Sequence, residues 1–67
     1  MNSVAIGKRL IALRGSRTQA EVAKANNISV AAVGMYERGE RIPRDEVKLS
    51  LAKFYDTTVQ SIFYADE

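Results

Sequence analysis

Apolar residues recur along most of the chain three and four positions apart, and no stretch shows the strict alternation of a strand. Ile6, Leu10 and Leu13 form one stripe of a first helix over Ser3–Arg14, with Ser3 as its N-cap and Gly15 as a left-handed stop. Thr18 opens a second helix, and Glu21 three residues later gives it the spacing of a capping box. Val22, Ala23 and Ala25 are assigned to its inner side. It ends at Asn26-Asn27, since Asn tolerates positive φ better than other non-glycine residues. Ser29 caps a third helix that runs to Arg38 and stops at Gly39. Val33 and either Tyr36 or Glu37 face inward there, and Ile28 packs just ahead of the cap. After Pro43, Asp45 and Glu46 lie in the first turn of a fourth helix, where the helix dipole favours acids. Its apolar face holds Val47, Leu51, Phe54 and Tyr55, with Ala52 beside them. Thr57 or Thr58 caps a short fifth helix, whose Val59, Ile62 and Phe63 close the core. The pattern predicts an all-α fold of five helices.

Length and composition narrow the function classes. The 67 residues predict a single domain, 1–67, close to the size at which a core must stand without staples. An apolar fraction of 46% is too high for a disordered chain. The absence of Cys and His excludes disulfides, the usual structural zinc sites, and catalysis by either residue. There is no Gly-rich phosphate loop and no pair of acids placed for a pocket, so neither enzymatic activity nor a metal or cofactor is expected. No apolar run approaches the ~20 residues of a membrane span, and the start MNSVAIGKRL lacks the apolar stretch of a secretory signal. A cytoplasmic, nucleoid-associated protein is expected. The net charge of +2 hides an asymmetry: residues 1–53 carry ten bases against five acids, and residues 54–67 carry three acids and no base. A basic body with an acidic end suits a polyanionic partner on one face.

The informative unit is residues 18–37. TQAEVA, then NNI, then SVAAVGMYE place two short helices about a tight turn. Ala23 is small where the helices must cross, Ile28 and Val33 fill the space between them, and the second helix can project its first turn into a major groove. Taken together, IGKRLIALRG, TQAEVA, ISVAAVGMYERGERIPRDEVK and TTVQSIF resemble the phage repressor and Cro-type helix-turn-helix family, the XRE family. They are similar to its small stand-alone regulators from Gram-positive bacteria and their mobile elements. The resemblance implies a five-helix lambda-repressor-like domain with the helix-turn-helix at helices 2 and 3. It also implies a transcriptional regulator, a repressor or Cro-like switch, with double-stranded DNA as partner. By the same resemblance Val30, Ala31, Gly34 and Met35 hold the base-facing positions. Gln19 contacts a phosphate and braces the reading helix, Ser29 caps it or touches the DNA backbone, Tyr36 lies near the phosphates, and Arg38 and Arg41 grip the backbone. Glu37 corresponds to an internal acid that pairs with a helix-one arginine, here Arg9 or Arg14.

The chain departs from the commoner family pattern in four places. Asn26-Asn27 replaces an apolar residue and Gly in the turn, the GSR link is short, and Asp45 and Lys48 stand at positions often apolar. The fourth departure is the reading helix itself, since none of its base-facing residues offers a side-chain hydrogen bond to a base edge. Val30, Ala31 and Met35 can instead touch thymine methyl groups. Small Ala31, Ala32 and Gly34 would let the backbone approach the groove floor, although Gly34 costs roughly 1 kcal/mol of helix propensity. So small a module is expected to act as a homodimer on a palindrome, joined through Phe54, Tyr55, Val59, Phe63 and Tyr64. The alternative is a protein-interaction module or antitoxin whose apolar third-helix tip binds a regulatory protein partner.

Overall fold

Side-chain caps start four of the five helices seen among residues 1–66, the residues described by the computed structural model. The helices are α1 (Ser3–Arg14), α2 (Gln19–Ala25), α3 (Val30–Glu37), α4 (Asp45–Phe54) and α5 (Val59–Phe63). The cap of α1 is Asn2, not Ser3: Asn2 Oδ1 accepts the Ala5 N–H at 3.0 Å, while Ser3 is already in the helix. Thr18 and Ser29 cap α2 and α3 as the sequence predicts, accepting from the backbone N–H of Glu21 and Ala32. Thr58 caps α5 through the Ser61 N–H. Helix α4 follows Arg44 without a side-chain cap and has Asp45 and Glu46 in its first turn, where the helix dipole favours acids.

Three helix ends share one geometry. In each, two backbone N–H groups fold back onto the last turn, around a residue with positive φ. At α2 the Asn27 and Ile28 N–H groups donate to the Lys24 and Ala23 carbonyls, with Asn27 at φ 55°. At α3 the pair is Gly39 to Tyr36 and Glu40 to Met35; at α4 it is Asp56 to Lys53 and Thr57 to Ala52, with Asp56 at φ 54°. Asn27 thus takes the place of the family's usual turn glycine. Its neighbour Asn26 is buried, donating to the Val22 carbonyl at 2.8 Å and accepting the Ser50 hydroxyl at 2.7 Å. That pair ties the turn to α4.

The core joins Ile6 and Leu10 of α1, Val22 and Ala23 of α2, Ala32, Val33 and Tyr36 of α3, Leu51 and Ala52 of α4, and Ile62 and Phe63 of α5. Leu13, Ile28, Val47, Phe54, Tyr55 and Val59 pack against it, half-buried. Ala25 is exposed, contrary to the sequence reading: it lies on the outer face of α2, while Val22 and Ala23 fill the inner one. Helix α1 crosses α3 at Gly7, where an added Cβ would overlap the Glu37 carbonyl oxygen. Phe63 is 0% exposed, so it belongs to the core and is removed from the expected dimer surface. Phe54 and Tyr55, also assigned to that surface, lie beneath the Arg17 guanidinium, at 5.3 and 5.8 Å from the ring centroids.

Lys48 shows why α4 tolerates a base on its inner side. It is 6% exposed, and its ammonium donates to the Tyr64 hydroxyl at 3.0 Å. It also lies over the Tyr64 and Phe63 rings and 3.6 Å from the Asp45 carboxylate. The Tyr64 hydrogen bond raises its pKa, and burial works against that rise.

Candidate nucleic-acid interface

Helix α3 is fastened from behind by one buried carboxylate. Glu37, 6% exposed, accepts Arg14 Nε at 2.7 Å and Arg14 Nη2 at 3.2 Å on its two oxygens, and Gln19 Nε2 at 2.9 Å. The fork-to-carboxylate pairing fixes direction as well as distance. It joins α1, the start of α2 and the end of α3, so the pair of helices is held as a unit. Arg14 is therefore the helix-one partner of Glu37. Arg9 has another task, donating to the Ile62 carbonyl and to Asp66, each at 2.6 Å.

With its back secured, α3 turns its first residues outward. Val30 is 48% exposed, Ala31 is exposed, and Met35 is half-buried. Ala32 is in the core and cannot help the backbone approach a groove floor, as the sequence reading had it. Gly34 is buried, but not by the core. The Arg38 side chain folds back along α3 and covers it, with Nη1 2.8 Å and Cζ 3.5 Å from where a Gly34 Cβ would stand.

The residues expected at phosphates are differently committed. Gln19 opens α2, where its own backbone N–H has no intrahelical partner. Its side-chain amide already braces Glu37, which leaves one amide hydrogen free. Ser29 Oγ accepts the Ala32 N–H at 3.0 Å and keeps its hydroxyl proton for an anion. Tyr36 is 6% exposed and belongs to the core. Arg38 is ion-paired with Glu40, Nε to Oε2 at 2.7 Å and Nη2 to Oε1 at 3.3 Å. The hydrogen bond from Arg38 holds the Glu40 carboxyl below its usual range. Arg41 and Arg44 are exposed in and after the exit loop, and neither has an ion pair among the described residues.

Sequence reasoning missed the Arg38–Glu40 clamp and the buried role of Lys48. The first had a signal in the opposite charges two positions apart across a helix end. The second had none, because the Tyr64 hydroxyl comes from another helix end sixteen residues away. Among the described residues no cluster of His, Cys, Asp or Glu is placed to hold a metal ion, and no helix is long and apolar enough to cross a membrane.

These features form a helix pair with one outward, weakly polar reading face, flanked by exposed bases and braced by a buried acid. A helix-turn-helix family model matches residues 9–62, covering all of α2, α3 and α4, the second half of α1 and most of α5. No curated protein and no solved structure matches the chain. The extent of the family match and the five-helix architecture agree, and the chain belongs to the Cro/C1-type (XRE) helix-turn-helix family of DNA-binding regulators.

Proposed function

We propose that the protein is a sequence-specific transcriptional regulator, a repressor or Cro-like switch, that sets α3 in the major groove and binds a palindromic operator as a dimer. The observation that carries this reading is the outward first turn of α3, with Val30 and Ala31 exposed, on a helix locked from behind by Arg14, Glu37 and Gln19. Val30, Ala31 and Met35 meet thymine methyl groups, and the shape of the DNA adds to the preference. The Gln19 N–H, the Ser29 hydroxyl and the Arg41 guanidinium set register on the phosphates.

One molecule measures 30 × 22 × 22 Å, enough for one half-site. Half-sites one helical turn apart are about 34–36 Å between centres, which two copies side by side can occupy. On the α4–α5 side the apolar surface left outside the core includes Leu49, 56% exposed, with half-buried Val59 and Tyr64. These residues line an open cleft of about 330 Å³ with Asp45 and Lys48, and this surface is assigned to the second copy.

The test is selection from random-sequence duplexes at two salt concentrations. The regulator reading requires an enriched palindrome and binding that weakens steeply with salt, because phosphate contacts release counterions. The exposed apolar tip at Val30 and Ala31 also supports a second reading, in which α3 or an antitoxin-like surface binds a protein partner. That reading requires a contact insensitive to salt and no enriched DNA sequence.

A further inference from the structure

The base-facing residues of α3 carry no side-chain donor, yet one lies among them. Positions 30, 34 and 38 follow each other at intervals of four and share one face of the helix. Arg38 stands at the end of this row, and long helical side chains lean toward the N-terminus. Its guanidinium comes to rest against Gly34, with Nη1 2.8 Å, Cζ 3.5 Å and Nη2 3.6 Å from the position of a Gly34 Cβ. Any larger residue at 34 would occupy that space. Glu40 takes the Nε and Nη2 edge of the guanidinium, at 2.7 and 3.3 Å. The other edge, formed by Nη1 and the second Nη2 hydrogen, has no partner among the described residues and keeps two parallel N–H donors.

We infer that Arg38 is a base-reading residue: laid over Gly34 and clamped by Glu40, it presents its free donor edge to guanine O6 and N7 in the major groove. The inference rests on the proposed docking of α3 in that groove. Two points favour a base over a phosphate. The guanidinium lies in the row that contains Val30 and Gly34, not out in the exit loop with Arg41. The Glu40 carboxylate bound to it would repel a phosphate, whereas a guanine edge is neutral and presents two acceptors in the spacing of the fork. Glu40 then acts as a positioning residue, holding the guanidinium in one orientation. The glycine that costs the reading helix propensity provides the slot for its missing donor.

The test repeats the duplex selection with wild-type protein and with Arg38→Ala, Gly34→Ala and Glu40→Gln, after circular dichroism has established that each is folded. The Gly34→Ala methyl meets only the end of a flexible side chain, so it displaces the guanidinium without disturbing the backbone. Wild type should enrich guanine at one fixed position in each half-site. Arg38→Ala and Gly34→Ala should lose that preference, by roughly 5- to 140-fold for a bidentate contact, and keep the rest of the motif. Glu40→Gln should broaden the same position. If Arg38→Ala weakens all sequences equally, Arg38 grips a phosphate and the inference is overturned, with the DNA-reading function intact. A wild-type motif without guanine overturns it in the same way. Wild-type protein that binds no duplex at low salt overturns both.

Discussion

The same substitution, glycine to alanine, should have opposite effects on stability at two positions of this small domain. At Gly7 the new methyl would overlap the Glu37 carbonyl oxygen and lie 2.9 Å from its carbon and 3.0 Å from the Tyr36 oxygen. These are backbone atoms of α3, so α1 and α3 must separate. Overpacking of this kind costs about 3 kcal/mol, the upper end of the usual range, because no side chain can rotate away. Alanine returns about 1 kcal/mol of helix propensity, which leaves a loss of about 2 kcal/mol. At Gly34 the methyl meets only the Arg38 guanidinium, which can swing into solvent, and the propensity gain of up to about 1 kcal/mol remains. A domain of this size holds roughly 3–10 kcal/mol in all, and 1 kcal/mol moves its Tm by about 4–8 °C. Thermal melts followed by circular dichroism should therefore show Gly7→Ala melting about 8–16 °C below wild type and Gly34→Ala up to about 8 °C above it. Equal shifts at the two sites, or a neutral Gly7→Ala, would refute the claim that α1 and α3 touch backbone to backbone while Gly34 is covered only by the movable Arg38 side chain.

Three further outcomes follow from the packing and the charges. Phe63→Ala removes the most buried large side chain and should cost about 3–5 kcal/mol, enough to leave much of the protein unfolded in urea titrations where wild type is still native. Lys48 has a folded pKa above its unfolded value, so its contribution is complete below the ordinary lysine range and is lost as pH rises through the folded value; Tm should fall across that alkaline window, and Tyr64→Phe, which deletes the hydrogen bond, should flatten the fall. Arg41→Ala, if Arg41 grips one phosphate, should weaken binding to all sequences alike and reduce the slope of log K against log salt by about 0.9, as read by fluorescence anisotropy.

How far the sequence revealed this molecule depended on whether the determining contacts were local. The five helices and most of their ends were legible, since Thr18, Ser29, Gly15 and Gly39 act on neighbours within a few positions. Ser3 and Asn2 are both good caps, and only the backbone geometry chooses Asn2. The positive φ of Asp56 has no signal in a segment without glycine, where the helix end alone demands it. The surplus of aromatic residues near the C-terminus suggests a dimer surface, but composition does not tell which of them are buried. Phe63 is in the core, and Phe54 and Tyr55 lie beneath Arg17. Glu37 was legible as an internal acid, but choosing Arg14 over Arg9 needed the crossing of α1 and α3. The outward placement of Val30 and Ala31 was legible, yet the Arg38 guanidinium over Gly34 was not, because a side chain's direction depends on the carboxylate that holds it.

The central claim is that the outer face of α3 meets DNA. It is tested most directly by amide chemical-shift mapping of the ¹⁵N-labelled protein as a selected duplex is added at low salt. The account predicts the largest shifts at Ser29–Met35, with Gln19, Arg38 and Arg41 beside them, and little change on the outer face of α1 at Val4 and Ile11. Shifts centred on that α1 face or on Leu49, with α3 unmoved, would contradict it.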